Sequence, residues 1–488
     1  MGRMKRKKEE EDSAMENVSS AMENAPGDDS EIDEGLARQA LFAAVEGDGT
    51  EQVLSCCPLV KLLFRDSNQS TALASIQSHK FHKGHARRFF AGITPILMKV
   101  LQEESYIPAS VFARDEEEER TDTNRKPEKN VPSDVVPDPK STEALEFLKA
   151  SALCVSAYLE GLVGRRSDTD TYRKMYDVVD EAYGVAELLH SVLFSLHSCG
   201  VKGMQVQTSI ASLCELWWHQ RFVDREALVV QLLPLLVVRS LDANALKTDV
   251  KRLFHIREAL NVLDFEHESI AYLRSLLLRS VSSPLYLRLN EGKRFIAGLF
   301  HLHNSLVRDL HQAIRVQIPD AKKTILQAYG EIFFRAWKES VDQVRTHIEE
   351  RALQDLMYAV LHIANPTMAK SILTILEPFH DAKKNSDVES LLYRMYSPIL
   401  WRAIKAANPR VRMNAAAVLA VTFPLNAPSL GHKETEQAIQ KGTKALKDLL
   451  IDSDPRVRVA GSEATATILA TFWDVLPATD IRMLLNRK

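Results

Sequence analysis

The amino-acid sequence predicts an all-α protein assembled from stacked pairs of helices. Three observations support this fold class. Glycine is scarce, with 18 residues in 488, about half of the number that average usage of about 7% would give. Apolar residues recur in steps of three and four over most of the chain, without a convincing run of alternating strand residues. A short motif at the start of two candidate helices is also written twice.

The composition favours a folded protein with a large interior. Of the 488 residues, 45% are hydrophobic, which is enough to bury a sizeable core. No apolar run approaches the roughly 20 residues that span a bilayer, and the N-terminus has no apolar signal segment. The five cysteines form no CxxC pair and are odd in number, which is typical of a reducing compartment. We therefore expect a soluble, intracellular protein with no membrane contact.

Two charged segments depart from the helical pattern. Residues 1–35 carry 11 acidic and 5 basic side chains with few apolar ones, which predicts a disordered acidic tail. Its basic run, Arg3 to Lys8, is compatible with a nuclear import signal and equally with an ordinary solvated tail. Residues 105–140 combine the charge block DEEEER with several prolines, which predicts a disordered linker. Residues 36–104 between them form a predicted N-terminal helical segment.

Residues 141–488 keep the helical periodicity and are predicted to form the repeat domain. Without the two acidic segments, the rest of the chain carries a formal charge of +6, which permits a polyanionic partner without requiring one. The apolar stripes of this region predict buried helix faces. They comprise Leu145, Leu148, Ala152, Val155, Leu159 and Leu162, then Ile210, Leu213 and Trp217, then Leu326, Tyr329, Phe333 and Trp337.

The repeated motif is Asx-Pro-Arg-Val-Arg, at residues 408–412 and again at 454–458. Asn408 and Asp454 are good N-cap acceptors, and a proline suits the first helical position that follows. The offset of 46 residues falls within the roughly 40 to 47 residues of a HEAT or armadillo unit. The preceding helix of the first copy is expected to begin at Ser397-Pro398. The sequence therefore predicts a HEAT-repeat α-solenoid, each unit being a helix, a tight turn and a helix.

Each motif copy ends in a small-residue helix face that predicts close packing. These faces are Val411, Ala415, Val418 and Thr422 in the first copy, and Val457, Gly461, Ala464 and Ile468 in the second.

The arginines of the motif have two competing interpretations. In HEAT units an Asp six residues before an Arg joins a polar ladder along the stack, and Asp452 and Arg458 match this spacing. Arg412 occupies the same place as Arg458, but Ala406 stands where the Asp is expected, so we expect an incomplete ladder there. We assign Arg412, Asp452 and Arg458 to structure. Arg410 and Arg456 remain candidates for phosphate binding.

Several longer stretches resemble one family, the G-type HEAT-repeat, non-SMC subunit of condensin II. These stretches occur in the same order as in the family, and the resemblance covers roughly residue 36 onward, apart from the linker. It is carried by SLCELWW (212–218), LFHIREALNVLDFEHES (253–269), EGKRF (291–295), YGEIFFRAWK (329–338) and LLYRMYSPILWRAIKAANPRVRMNAAAVLAVTFP (391–424).

This resemblance implies a non-catalytic scaffold of the nucleus and chromosome. Such subunits bind a segment of the kleisin and hold double-stranded DNA in chromatin, and the kleisin connects them to the two SMC ATPases and the other HEAT subunit. The expected process is mitotic chromosome condensation. Family members are longer than this chain, so we expect a truncated or fragmentary chain. The resemblance implies no cofactor, metal or small-molecule substrate.

Binding of DNA through a solenoid would use Lys and Arg on phosphates, with little base readout. A solvated helix face is the alternative for any single pair. The candidate DNA-binding residues are Lys80, Lys83, Arg87, Arg88, Lys293, Arg294, Lys322, Lys323, Arg402, Lys405, Arg410 and Arg456.

Two other function classes are weighed against this one. A HEAT adaptor of another kind, such as a transport receptor or phosphatase scaffold, would bind peptides without DNA. An enzyme is disfavoured, because the sequence contains no GxxxxGK[ST], GxGxxG, GxSxG or HExxH motif. The sequence accordingly predicts binding without catalysis.

Overall fold

The computed structural model describes residues 76–77, 86–102, 139–167, 172–173, 176–427, 431–474 and 476–485. The predicted tail, the predicted linker apart from its last two residues, and Lys80 and Lys83 lie outside these ranges. Within them the regular structure is entirely helical, which confirms the all-α class. The chain divides into two compact units, residues 1–235 and 236–488.

The first unit is built mainly on four helices packed together. Its helices are α1 (Ala86–Gln102), α2 (Pro139–Val163), α3 (Val179–Ser191) and α4 (Gly200–His219), and the helix α5 (Leu232–Leu241) begins at its end. Helix α3 packs on α1, α2 and α4, and α2 packs on α4. The predicted stripe of α2, from Leu145 to Leu162, is buried, so the periodicity identified the core-facing side of this helix.

The second unit contains a stack of helix pairs. Its first helices are α6 (Lys247–Ile256), α7 (Ala271–Arg279), α8 (Pro284–Arg288), α9 (Asn290–Leu299), α10 (Asn304–Gln317) and α11 (Lys323–Glu339). The following helices are α12 (Asp342–Ile348), α13 (Gln354–His362), α14 (Pro366–Asp381), α15 (Ser386–Ala403), α16 (Pro409–Thr422), α17 (His432–Leu450), α18 (Pro455–Phe472) and α19 (Ala478–Leu485). A π-helical turn, Glu349–Leu353, joins α12 to α13.

Five helices of this stack, α9, α11, α14, α16 and α18, form one continuous inner layer. Helix α9 packs on α11, α11 on α14, α14 on α16, and α16 on α18. Both predicted small-residue faces, from Val411 to Thr422 and from Val457 to Ile468, are buried. Small side chains permit close approach: a Cβ added at Gly330 of α11 would lie only 2.6 Å from the Ile375 carbonyl oxygen of α14. The repeat architecture predicted from the motif is confirmed within this unit.

The predicted start of one helix at Ser397-Pro398 is wrong. Helix α15 begins eleven residues earlier at Ser386, where the side chain of Asn385 accepts hydrogen bonds from the backbone of Asp387 and Val388. Pro398 lies inside the helix. The upstream cap and the buried face that includes Tyr396 and Leu400 keep the helix continuous, because packing outweighs the loss of one backbone donor.

Among the described helices, none by itself is long and apolar enough to cross a membrane. Only the pair Val179–Ser191 and Ser195–His219, bent by 65°, meets that criterion when the two are taken together.

Candidate nucleic-acid interface

The turns that precede the inner helices form the most regular feature of the second unit. The N-cap residues of α11, α14, α16 and α18 are Lys322, Asn365, Asn408 and Asp454, at intervals of 43, 43 and 46 residues. We call the four turns, residues 318–322, 363–365, 404–408 and 451–454, the turn ridge. The predicted caps at Asn408 and Asp454 and the prolines that follow them are confirmed.

Sequence reasoning missed the second member of this series, which is a third Asx-Pro turn. Asn365 accepts from the backbone N–H groups of Thr367 and Met368, and Pro366 follows it as the first helical residue. The dipeptide Asn365-Pro366 stands 43 positions before Asn408-Pro409. A search for Asx-Pro at that interval would have found this turn, although it lacks the arginines of the other two copies.

Polar contacts hold neighbouring turns side by side. The Asn414 side chain at the start of α16 donates to the carbonyls of Leu361 and Ile363, at 3.2 and 3.0 Å, next to the preceding turn. In the other direction, Arg412 reaches Asp452 of the following turn. Three consecutive turns therefore lie along the same edge of the stack.

Arg412 and Asp452 form a bidentate ion pair between repeats. Arg412 Nε lies 2.7 Å from Asp452 Oδ2, and Nη2 lies 2.8 Å from Oδ1. Both side chains are only 12% exposed. The hydrogen bond from Arg412 lowers the pKa of Asp452 and raises the pKa of Arg412. This geometry gives both residues a structural task.

The first motif copy lacks the side-chain acceptor of the ladder but keeps its backbone contacts. Ala406 offers no carboxylate, yet Arg412 Nη1 donates to the backbone carbonyls of Ala406 and Ala407 at 2.7 and 2.9 Å. Arg458 makes the corresponding backbone contacts, to the carbonyls of Asp452 and Ser453 at 2.8 and 3.2 Å. A main-chain carbonyl is present whatever the residue type, so the loss of the Asp removes only the side-chain contribution.

The two phosphate candidates of the motif have different surroundings. Arg456 is bound to its own cap residue, with Nη2 at 2.8 Å and Nε at 3.2 Å from the Asp454 carboxylate. The Arg456 guanidinium lowers the pKa of Asp454 to about 2. Arg410 follows the neutral cap Asn408, which accepts only its backbone N–H. Of the two, Arg410 has the charge available for a ligand.

Four further candidates lie on or beside the turn ridge. Lys322 and Lys323 are exposed at the start of α11, Arg402 is exposed in the last turn of α15, and Lys405 is exposed between α15 and α16. Like Arg410, none of the four forms an ion pair with a carboxylate in the part of the chain that the structure describes. Nearby, the Lys441 ammonium lies 4.4 Å from the centre of the Trp401 ring, which places one more cation beside Arg402.

The remaining described candidates lie apart from this edge. Lys293 is paired with Glu331, which is about 12 Å along α11 from Lys323 at 1.5 Å per residue. Arg294 stacks on Phe254, with its guanidinium carbon 5.1 Å from the ring centre. In the first unit, Arg87 bonds Glu181 at 2.7 Å, and the side chain of Arg88 is outside the described residues. Sequence spacing grouped these cations with the others because it carries no information about their partners.

Two buried histidines have pKa values far below the ordinary range. Burial lowers the pKa of His190 to about 4 and that of His380 to about 3. Each is occupied by a structural hydrogen bond, His190 with the Gln231 N–H and His380 with the Tyr396 hydroxyl. Within the described ranges no group of three or more His, Cys, Asp or Glu is placed to hold a metal ion.

Stacked helix pairs, a ladder between repeats and an exposed basic edge define a HEAT-type scaffold. The comparisons with known proteins agree with the resemblance predicted from the sequence. Residues 279–427 match the family described as "Condensin II non structural maintenance of chromosomes subunit". The chain is similar to the G-type HEAT-repeat subunit of condensin II.

The curated relatives carry one name, condensin-2 complex subunit G2. The protein of Xenopus laevis is 31% identical over 293 residues, which are 60% of this chain and 25% of the relative. That of Mus musculus is 32% identical over 61% of this chain and 26% of the relative, and that of Homo sapiens is 32% identical over 64% and 28%. The chain thus spans about a quarter of the length of these relatives.

Among solved structures, the karyopherin Kap121p bound to the SUMO protease Ulp1p aligns with 12% identity over 91% of this chain and 48% of that chain. Its TM-score of 0.26 is too low to carry an argument about shape or function.

Proposed function

We propose that this chain is a non-catalytic scaffold of condensin II that helps to bind the kleisin and double-stranded DNA during mitotic chromosome condensation. It would act in the nucleus, on chromosomes, and would be linked through the kleisin to the two SMC ATPases. The similarity to condensin-2 complex subunit G2 supports membership of that complex. The DNA part of the proposal rests on the chemistry of the turn ridge.

The DNA proposal rests on one observation, namely which cations of the turn ridge are paired with a carboxylate and which are not. Arg412 and Arg456 are bound to Asp452 and Asp454, whereas Lys322, Lys323 and Arg410 are left without a carboxylate among the described residues. These unpaired cations lie at the first and third of the four turns, so they place charge at two separate points of the turn ridge. Phosphate contacts of this kind give affinity that falls with salt and little preference for base sequence.

The inner helices add a weaker attraction for phosphate at the same edge. Each of α11, α14, α16 and α18 begins there, so their positive dipole ends and unbonded N–H groups are directed toward it. The contribution is small and local beside that of the Lys and Arg charges, because it is screened by salt and falls off within the first turn of a helix.

The test is charge reversal with a matched control. The full chain, bound to a kleisin segment, is titrated with a random-sequence duplex at several salt concentrations. The test variant carries Lys322→Glu, Lys323→Glu and Arg410→Glu, and the control carries Arg308→Glu, Lys433→Glu and Lys444→Glu, which are exposed cations on α10 and α17. If each ridge cation contacts one phosphate, the salt slope of the test variant falls by about three while the control keeps most of it.

Equal loss of affinity in both variants would show that net charge alone matters and that the ridge is not the interface. Co-purification separates the two parts of the proposal. Recovery of a kleisin and SMC subunits supports membership of the complex even if DNA binding is unchanged. Recovery of transport cargo or phosphatase subunits without them would favour a HEAT adaptor of another class.

A further inference from the structure

The first unit contains an arginine cluster that no sequence motif indicated. Arg165 and Arg166 follow α2, and Arg221 and Arg225 lie in the turn after α4. Arg166 Nη2 donates to the carbonyl of Gln220 at 2.7 Å, which places its guanidinium beside Arg221. The two pairs, 55 residues or more apart in sequence, therefore meet at one turn.

Aromatic rings hold two of the guanidinium groups in place. The guanidinium carbon of Arg225 lies 4.3 Å from the centre of the Trp218 ring, and that of Arg166 lies 5.9 Å from the Phe222 ring. The backbone N–H of Arg221 donates to the Trp218 carbonyl at 3.1 Å, which links it to the same site. Stacking on a ring leaves the edge of a guanidinium, with its N–H donors, free to bind a ligand.

The turn that carries these residues has an unusual backbone. Arg221 and Asp224 have φ angles of 57° and 52°, in the left-handed region that residues other than glycine rarely adopt. The conformation is fixed from inside, because Phe222 is buried against Trp217 and the Trp217 indole N–H donates to the Val223 carbonyl at 2.8 Å. Strain maintained in this way is typical of ligand-binding turns.

The cluster also differs from other arginines in its charge balance. Arg87, Arg274, Arg412 and Arg456 each pair with a carboxylate. Within the described residues, none of the four clustered guanidinium groups does so. Arg165 is satisfied by backbone carbonyls, with Nη1 at 2.7 Å from that of Gln77 and 2.8 Å from that of Gly161. A bound anion would neutralise the positive charge of these guanidinium groups.

We propose that this cluster, Arg166, Arg221 and Arg225 with Arg165 behind them, is a binding site for a peptide phosphorylated on serine or threonine. A phosphoryl group carries nearly two negative charges and three acceptor oxygens, which suit a site with several guanidinium groups near one turn. Recognition of phosphorylated peptides by Arg clusters is a general mode of binding. This site is separate from the turn ridge and does not depend on the function proposed for it.

The surroundings favour a peptide over a nucleic acid. The cluster occupies a single turn, so it suits one doubly charged group rather than a row of phosphates. Asp224 and Glu226 are exposed in the same turn and would repel further phosphates of a duplex. Val223 and Val230 are 42% and 52% exposed. The peptide expected to bind best has an apolar residue on one side of the phosphate and a basic residue on the other.

The experiment uses the full chain and a fluorescent peptide library. Its members have phosphoserine or phosphothreonine flanked by Val, Leu, Lys or Ala, and each has an unphosphorylated counterpart. We expect binding that needs the phosphate and that falls at least tenfold in Arg221→Asn and Arg225→Gln. Asn is chosen at position 221 because it tolerates a left-handed backbone better than most residues. Arg225→Lys, which keeps charge but loses the planar donor pair, should recover only part of the affinity.

The matched control is Lys202→Ala, an exposed cation near the start of the same helix α4, about 24 Å from Trp218 at 1.5 Å per residue. This variant should bind the peptides as the parent does. An unchanged circular dichroism spectrum and thermal midpoint in Arg221→Asn and Arg225→Gln would confirm that they are folded. The proposal is overturned if no phosphorylated peptide binds, if Lys202→Ala loses as much affinity, or if the cluster variants weaken only binding to a random-sequence duplex.

Discussion

The two copies of Asx-Pro-Arg-Val-Arg have the same local structure and different charge chemistry. In each copy the Asx side chain accepts the N–H of the first arginine, at 2.9 Å, and the helix begins at the proline. In the first copy no carboxylate among the described residues pairs with Arg410, whereas in the second Asp454 binds the Arg456 guanidinium. A single difference, Asn against Asp at the cap, decides whether the next arginine is available.

The second arginines reverse this pattern. Arg412 of the first copy forms the bidentate pair with Asp452, whereas the Arg458 side chain of the second copy donates to backbone carbonyls. The arginine that stabilises the stack and the arginine that is available for a ligand are thus both in the first copy. The two copies of the motif therefore share the same helix start, whereas the partner of each arginine depends on the residues around that arginine.

The largest expected effect is on stability, from breaking the pair between repeats. Arg412→Ala leaves Asp452 largely buried without its partner, and we expect the free energy of unfolding to fall by roughly 1.5–3 kcal/mol, the range for hydrogen bonds to charged groups. Urea unfolding of the full chain measures it. Arg458→Ala, which removes backbone contacts only, should cost less.

A double-mutant cycle gives the sharper test of this pair. If Arg412 and Asp452 act together, the double variant Arg412→Ala with Asp452→Ala loses clearly less than the sum of the two single losses. Additive losses would mean that the contact contributes little to holding the repeats together. Arg308→Ala, at an 81% exposed side chain, is the control for a general effect of removing an arginine.

The next effect in size compares the seventh residue after each cap. Ala415 of α16 and Gly461 of α18 occupy this place and both are buried. Ala415→Gly should cost about 1 kcal/mol from helix propensity. Gly461→Ala should not raise the free energy of unfolding by the same amount, because the added Cβ would lie 3.0 Å from Leu449 Cβ and 3.1 Å from its carbonyl carbon. Full stabilisation by about 1 kcal/mol in Gly461→Ala, measured by thermal unfolding, would contradict the close packing of α17 on α18.

The sequence was informative wherever one residue type had one local task. Caps, prolines and apolar spacing identified both helix starts and the buried faces, because these depend on neighbours within a few positions. The contacts of Arg412, Lys293 and Arg87 could not be predicted, since each reaches a carboxylate on another element, 38 to 94 residues away. The arginine cluster after α4 was missed for the same reason, because Arg166 reaches the turn that carries Arg221 and Arg225 only in the folded unit.

The third prediction exchanges the caps and tests the proposed DNA function. In Asn408→Asp the new carboxylate should bind Arg410 as Asp454 binds Arg456, so duplex affinity should fall a few-fold and the salt slope by about one phosphate contact. In Asp454→Asn the freed Arg456 should move both quantities in the opposite direction. Fluorescence anisotropy with the same random-sequence duplex measures them. The same change in both variants would indicate a response to overall fold rather than to the two arginines.

The smallest expected effect is the acid dependence of the second cap. Arg456 lowers the pKa of Asp454 in the folded chain to about 2, against an ordinary value of 3.8. The folded state therefore holds the ionised carboxylate more strongly than the unfolded state does. The resulting stabilisation is complete above about pH 4 and is lost as the pH falls from 4 through 2. Asp452, whose pKa Arg412 lowers, adds a similar dependence.

Urea unfolding at several values between pH 4 and pH 2 separates these contributions. Asp454→Asn keeps a cap of the type that Asn408 provides but cannot titrate, so its stability should fall less steeply than that of the parent. Arg456→Gln keeps the carboxylate and removes the main cause of the shift, so it should flatten the curve to a similar extent. Asp452 and Glu291, whose pKa values are also lowered in the folded chain, contribute to the acid dependence that remains in both variants, and Arg412→Ala should reduce the part that comes from Asp452. Parallel curves for the parent and the two cap variants would show that Arg456 and Asp454 are not coupled in solution, which would make Arg456 as available to a ligand as Arg410.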